Sequence, residues 1–368
     1  MKIAIITIVD NINYGTYLQA YATHEIIKSL GHNPIIINYT RPYISSKEVA
    51  LGYLKNQKMS ILKRLSYAFF YTLLYPFMIW QVKRFLTRNA NMTPLYRSYN
   101  ELKQNPPQAD LFLTGSDQVW NSNYNNGIDE SFFLSFTSKD KYAYAASIGL
   151  NSFPEQEKEK IKKLLQEYKA ISVREYFGIE ALNNIGVNNI TQVLDPTLLF
   201  TKDKWLSMIK TKSKKETDKY LLIYSVESGR NDFVLQQAKE IASKRNLKLY
   251  WICPTYKFKK ILGVNKVFNF ASVEDFIHLF ANADFIIASS FHGTAFAINF
   301  NKEFLSVSPG KYNTRVCSLL KLCKLENRYV SDSLKTNESI ENINYRSVNS
   351  ILDLEREKSI SFLTKICN

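Results

Sequence analysis

Of the four histidines in the chain, His292 stands where a proton carrier is useful. Around it runs ADFIIASSFHGTAFAINFNKEFLSVS, residues 283–308. An apolar, β-branched run stops at Ser289 and Ser290, and a helical pattern opens at about Gly293 with Thr294, Phe296, Ile298 and Phe300. The spacing predicts strand, tight turn, helix, strand. At such a turn the first N–H groups of the helix lack intrahelical partners and attract anions, while an imidazole titrates close to cellular pH. His292 therefore either moves a proton for an anionic ligand or caps the turn.

Three further loops carry side chains suited to binding. GSDQVWN, residues 115–121, closes a predicted strand at 110–114. Its Asp117, Gln118, Trp120 and Asn121 either hold a sugar, by hydrogen bonds to hydroxyls and stacking on a C–H face, or form an Asx-type turn around a buried indole. Ile171 to Glu175 reads as a short strand feeding a helix, with Arg174 at the junction. Its planar fork suits a carboxylate or phosphate, unless it is spent on Glu175 or Glu180. Asn11 to Gly15 lies at the carboxyl edge of the first predicted strand, where open α/β sheets bind ligands. It holds no G-x-G-x-x-G, so the usual dinucleotide loop is not indicated, and Gly15 serves either a ligand or only the turn.

These loops need a scaffold of alternating strands and helices. A strand over 3–9, a helix over about 16–30 ended by Gly31, and a strand over 34–39 make a βαβ unit opening a doubly wound α/β domain. Strands follow at 142–148 and before Asp195-Pro196-Thr197, with an amphipathic helix over 155–169 between them. The polar run TKSKKETDK, 211–219, puts a domain boundary between 196 and 219. A second α/β series follows: strands at 220–226, 247–252, 285–288 and 304–308, and helices near 232–244 and 273–282. A last helix over 348–365 is placed to cross back. The domains expected are 1–200, 215–345 and a terminal helical segment 346–368.

At 368 residues, with 45% hydrophobic and 14% aromatic side chains, the chain can fill two cores. Its 48 Lys and Arg against 33 Asp and Glu leave a net charge of +15, which favours anionic partners. The four cysteines lack C-x-x-C spacing, so neither a zinc knuckle nor a disulfide framework is indicated. With MKIAIITIVD too short an apolar run for a signal peptide, a cytoplasmic protein is expected. Residues 49–100 contain no acidic residue and eight basic ones, concentrated in 55–97. Within them YAFFYTLLYPFMIW, 67–80, falls short of the roughly 20 apolar residues needed to span a bilayer. It is either an interfacial segment facing an anionic membrane or a helical pair whose aromatics pack on the core. Nucleic acid is not expected, because the aromatics form one block and do not alternate with lysines.

Taken together and in order, NYGTYLQAYA, GSDQVWN, YAASIG, SVRE, VLDPTLL and SSFHGTAFAINFNKEF resemble the polysaccharide pyruvyl transferase family. The resemblance runs from Ile3 to about Leu325. It implies an α/β fold of two Rossmann-like domains facing a cleft, similar to the GT-B glycosyltransferases, with the first domain on the acceptor side and the second on the donor side. It implies phosphoenolpyruvate as co-substrate without a cofactor. The acceptor would be a sugar of a bacterial surface polysaccharide, nascent or lipid-linked, at the cytoplasmic face of the membrane, and the product a pyruvate ketal. No metal is expected, since there is no D-x-D and no histidine-rich ligand set.

The family's donor-site arginine and histidine fall on Arg174 and His292. Phe291 departs from the pattern, for many members carry arginine there, and Lys311 or Arg315 is expected to make up the charge. Ser290, Gly293 and Thr294 complete the expected donor site. His292 is expected to protonate the donor's methylene carbon and Asp117 to accept a hydroxyl proton. Asn13, Tyr14, Gly15, Gln118, Trp120 and Asn121 are the expected acceptor-side residues. The alternatives are a GT-B nucleotide-sugar glycosyltransferase and a non-catalytic protein that binds anions or a membrane surface.

Overall fold

Short β-branched runs bounded by turn residues pair in the computed structural model into two parallel sheets of six strands each. It describes residues 1–44, 46–55, 59–209, 218–226, 231–253, 261–269, 271–308, 313–331 and 341–368. The first sheet holds β1 (Lys2–Ile6), β2 (Asn33–Ile36), β3 (Leu111–Thr114), β4 (Asp140–Ala146), β5 (Tyr168–Val173) and β6 (Ile190–Gln192), in the order β2-β1-β3-β4-β5-β6. The second holds β7 (Tyr220–Tyr224), β8 (Lys248–Ile252), β9 (Lys266–Phe268), β10 (Phe285–Ala288), β11 (Glu303–Val307) and β12 (Tyr329–Val330), in the order β12-β11-β10-β7-β8-β9. Every residue of β3, β7 and β10 is buried, as expected of parallel strands covered on both faces.

The second order is that of a Rossmann sheet, and both sheets are doubly wound. The chain's direction across the sheet reverses between β1 and β3 in one and between β7 and β10 in the other. Ligands of such sheets bind beyond the carboxyl ends of strands at that reversal.

The halves share one core. A chain of rings runs from Phe85 to Tyr21 (5.0 Å), Tyr21 to Trp205 (6.4 Å), Trp205 to Phe296 (5.5 Å), Phe296 to Phe276 (5.3 Å) and Phe276 to Tyr14 (5.0 Å). The last helix, Tyr345–Cys367, runs back along the seam. Its Arg356 donates to Leu198 O (2.8 Å) and Asn299 Oδ1 (3.0 Å), and its Ser359 Oγ accepts from Leu194 N (2.9 Å).

Two expectations change. The amphipathic helix ends at Leu165, because Tyr168 is drawn into β5: its hydroxyl lies 2.7 Å from Thr114 Oγ1 and its ring meets Trp120 edge-on. In the basic segment, Ile61–Phe69 and Tyr75–Asn89 are helical and a π turn, Phe70–Leu74, joins them without a break. Pro76 explains the wider turn, since a proline ring clashes with the carbonyl four residues back in a regular α-helix. Met78, Val82, Phe85 and Leu86 bury one face of the second helix, while Phe77 and Trp80 remain exposed. Core packing thus accounts for only part of this block.

Candidate active site

Side chains from both sheets meet where their carboxyl ends face each other. From the first sheet come Ser116 and Asp117 after β3, Arg174 after β5 and Asp195 after β6. From the second, His292 follows β10. The Arg174 side chain is fully buried, with Nη1 2.7 Å from Asp195 Oδ2 and 3.2 Å from Ser116 Oγ, and Nη2 3.5 Å from Asp117 Oδ1. Its Nε lies 3.6 Å from Glu175 Oε2. The Phe291 ring covers the guanidinium at 4.2 Å, a cation–π contact. Phe291 therefore places an aromatic lid on Arg174.

His292 enters from the opposite domain and converges on the same carboxylate, with Nε2 3.7 Å from Asp195 Oδ2. That suits an ion pair with a protonated ring but is too long for a hydrogen bond. The ring lies directly on Gly15: a β-carbon there would sit 2.0 Å from His292 Cγ. Gly15 thus serves more than the turn: its missing side chain lets the two domains close around the histidine.

Asp195 was outside the expected site. Its Oδ1 caps the following short helix, accepting from the Thr197 N–H (2.9 Å) and Oγ1 (2.6 Å), which leaves Oδ2 for Arg174 and Ser116. Aspartate before proline reads as an ordinary helix start, which is why sequence reasoning passed over it. Burial by itself raises a carboxyl, but His292, Arg174 and Thr197 outweigh it and hold Asp195 far below the usual carboxylate range. Burial likewise works against Asp117, yet Arg174, His292, Arg315 and Thr16 keep it below its ordinary value. Arg174 loses by burial and gains more from Asp195, Asp117 and Glu175, so it stays charged. Burial and the neighbouring Arg174 cation push Arg315 down.

Hydrogen bonding is incomplete at this junction. Arg174 Nε, Glu175 Oε2, His292 Nε2 and Arg315 Nε are buried and have no hydrogen-bond partner among the described residues. The backbone is strained here as well: Asp117 has φ 78° and Ala145 φ 53°, conformations costing about 1 kcal/mol or more in a non-glycine residue. The two strained turns hold each other, with Ser147 N donating to Asp117 O at 3.0 Å.

The other expected residues fall into two groups. Ser290 caps the helix Phe291–Asn299 by accepting from Gly293 N (3.1 Å), Gly293 lets that helix close on Ala288 and Tyr224, and Thr294 Oγ1 lies 2.7 Å from Ser306 Oγ. They orient His292 and the helix end. Asn13 Oδ1 accepts from Gly15 N (3.1 Å) and from the Tyr224 hydroxyl (3.1 Å), and the Tyr14 hydroxyl donates to Ala271 O (2.8 Å). Both fasten one domain to the other. Trp120 is a core residue, stacked on Phe133 at 5.8 Å and donating to Phe132 O, so no face is left for a sugar. Gln118 Oε1 accepts from Asn121 Nδ2 (2.8 Å), and Asn121 Oδ1 accepts from Tyr124 N (3.1 Å). The Asx-turn alternative describes this loop, apart from Asp117. Lys311 lies outside the described residues. No group of three or more possible metal ligands occurs among the described residues.

Two doubly wound domains with a polar cluster between them define a protein of GT-B architecture. The profile described as polysaccharide pyruvyl transferase matches residues 13–311, most of the chain, and the protein belongs to that family. No curated protein matches it. Among solved structures it is similar to the S. aureus MnaA-UDP co-structure, with TM-score 0.50 and 12% identity over 99% of this chain and 90% of that one. The UDP-GlcNAc 2-epimerase from Methanocaldococcus jannaschii follows, with TM-score 0.49 and 12% identity over 96% and 92%. MurG of Acinetobacter baumannii gives 0.43 and 11% over 99% and 98%. The likeness to MnaA is one of fold alone.

Proposed function

We propose that the protein transfers the enolpyruvyl group of phosphoenolpyruvate to two hydroxyls of one sugar in a bacterial surface polysaccharide or its lipid-linked precursor. The transfer closes a pyruvate ketal at the cytoplasmic face. The observation that carries this reading is the set of buried donors at Arg174 Nε, Arg315 Nε and His292 Nε2 in one junction, without a hydrogen-bond partner among the described residues. Three such donors are costly unless an anion or water satisfies them, and a small ligand with a carboxylate and a phosphate suits them.

In the reaction, His292 delivers a proton to the methylene carbon, which becomes a methyl group. The carbon bearing the phosphate takes on oxocarbenium character, and a sugar hydroxyl adds to it as its proton passes to the now neutral His292. A second hydroxyl then displaces phosphate, which leaves carrying the remaining proton. Arg174 and Arg315 stabilise the donor's charges. Asp195 holds Arg174 in place and balances the imidazolium. Asp117 lies at the same junction, but a carboxylate held below its ordinary pKa is a weak base, so its charge serves the cations better than it serves proton abstraction.

The test is phosphate release from phosphoenolpyruvate by folded protein with galactose- or mannose-type acceptors, followed by detection of an acid-labile carboxyethylidene group. Release with formation of that group supports the reading; no release with any acceptor counts against it. A glycosyltransferase would instead be protected against thermal unfolding by a nucleoside diphosphate and not by phosphoenolpyruvate.

A further inference from the structure

Eight of the fourteen large apolar side chains exposed among the described residues lie between 61 and 80. They are not scattered. Ile61, Leu65, Phe69, Leu73 and Phe77 recur every fourth residue, and Trp80 stacks on Phe77 at 5.8 Å. In a regular α-helix a spacing of four drifts steadily around the axis. The π turn Phe70–Leu74 is wider and offsets part of that drift between the two helices. Exposure reaches 72% at Ile61 and 60% at Phe69, more than a solvated helix needs to show.

The rim of this face is cationic. Lys63, Arg84 and Arg88 are exposed, Arg84 lies over the Trp80 ring at 5.1 Å, and no acidic residue occurs in 49–100. An apolar stripe with aromatics at its edge and cations around it matches an anionic bilayer surface, where rings sit at headgroup level and basic side chains meet lipid phosphates. Among the described residues no helix is long and apolar enough to cross a membrane, so this segment would lie on the surface. Its opposite face carries Val82, Phe85 and Leu86, and Phe85 packs edge-on against Tyr21 of the helix Tyr14–Ser29. At the first residues of that helix lie Gly15 and the catalytic junction.

We infer that the helical segment 61–80 docks the protein on an anionic lipid surface, with Phe69, Leu73, Phe77 and Trp80 entering the interface and Lys63, Arg84 and Arg88 pairing with lipid phosphates. The protein supplies its own reporter, because Trp80 is 52% exposed while Trp120, Trp205 and Trp251 are buried. Vesicles of phosphatidylcholine with phosphatidylglycerol should shift tryptophan emission to the blue and carry the protein down on sedimentation. Binding should be roughly tenfold or more tighter than to phosphatidylcholine alone, and should weaken with salt. Trp80→Phe should keep sedimentation and lose the shift. Phe69→Glu with Leu73→Glu should lose both, with the melting temperature unchanged. No sedimentation with anionic vesicles by protein that melts cooperatively would overturn the inference, as would equal binding to both vesicle types. So would a blue shift that grows with protein concentration without lipid, the sign of a second copy on this face. Vesicle binding is read without turnover, so its failure and that of the transfer reaction are separable.

Discussion

Two buried arginines, Arg41 and Arg174, show how alike charges in one domain are put to different use. Arg41 holds Asp10 in a two-pronged pair, Nε to Oδ2 at 2.9 Å and Nη2 to Oδ1 at 2.7 Å, and its Nη1 donates to Asn125 Oδ1 at 2.7 Å. The Tyr124 and Tyr43 rings flank it at 5.0 and 5.8 Å. One cation meets one anion, and Arg41 has no orphaned nitrogen among the described residues. Arg174 faces three carboxylates through single contacts, leaves its Nε without a hydrogen bond among the described residues and receives a histidine from the other domain. A complete pair is a structural bracket; a surplus of partners with bonds left over marks a place where something else binds.

The sharpest test of this contrast is His292→Gln, which should lower turnover by about 10²- to 10⁴-fold with the melting temperature nearly unchanged, checked by single-turnover phosphate release. Arg41→Met should do the reverse. It strands Asp10 and should cost about 3–5 kcal/mol in denaturant unfolding, leaving turnover of the folded fraction intact. Ligand protection divides the two arginines directly. Phosphoenolpyruvate at a hundred times its Kd should stabilise the wild type and Arg41→Lys by about 2.7 kcal/mol, and Arg174→Lys by far less, since an ammonium cannot reproduce the fork.

A smaller effect is expected of Gly15→Ala. The added methyl meets the His292 ring, and overpacking of this kind costs about 1–3 kcal/mol, read by thermal unfolding together with a fall in turnover. The mildest concerns pH. Because Asp195 and Asp117 have folded-state pKa values below their unfolded ones, their contribution to stability is fully present above about pH 4 and is lost as the pH falls further. Asp195→Asn should flatten that acid limb in melts recorded from pH 6 to pH 3, whereas Arg41→Lys should leave its slope as it is.

Much of this arrangement can be read from the chain. Parallel strands buried on both faces are written as near-continuous apolar runs, so β1, β3, β7, β10 and β11 stand out, and doubly wound domains follow from their alternation with helices. The three-residue strand β9 and the two-residue β12 carry too little pattern to show, whereas β6 shows as the run before Asp195. Arg174 and His292 are legible because strand ends in such sheets are where ligands bind. Trp120 misleads for a physical reason: a loop indole suits a sugar as well as it suits a core, and only the facing Phe133 and Tyr168 decide. Asp195 stayed hidden because one oxygen does the ordinary work of a cap while the other holds the site. Gly15 was visible as a glycine, but its reason, a ring from 277 residues further along the chain, belongs to tertiary structure alone.

The contact between Gly15 and His292 has a kinetic corollary. With no room there even for a methyl group, and with Tyr14 bonded to Ala271 across the seam, the halves meet tightly at the junction, and a ligand entering between them would need them to open. Each catalytic cycle would have to part them. Solvent viscosity should then slow steady-state throughput more than it slows the first bond-making event, and the speed limit of the catalyst would lie in the gape of its jaws.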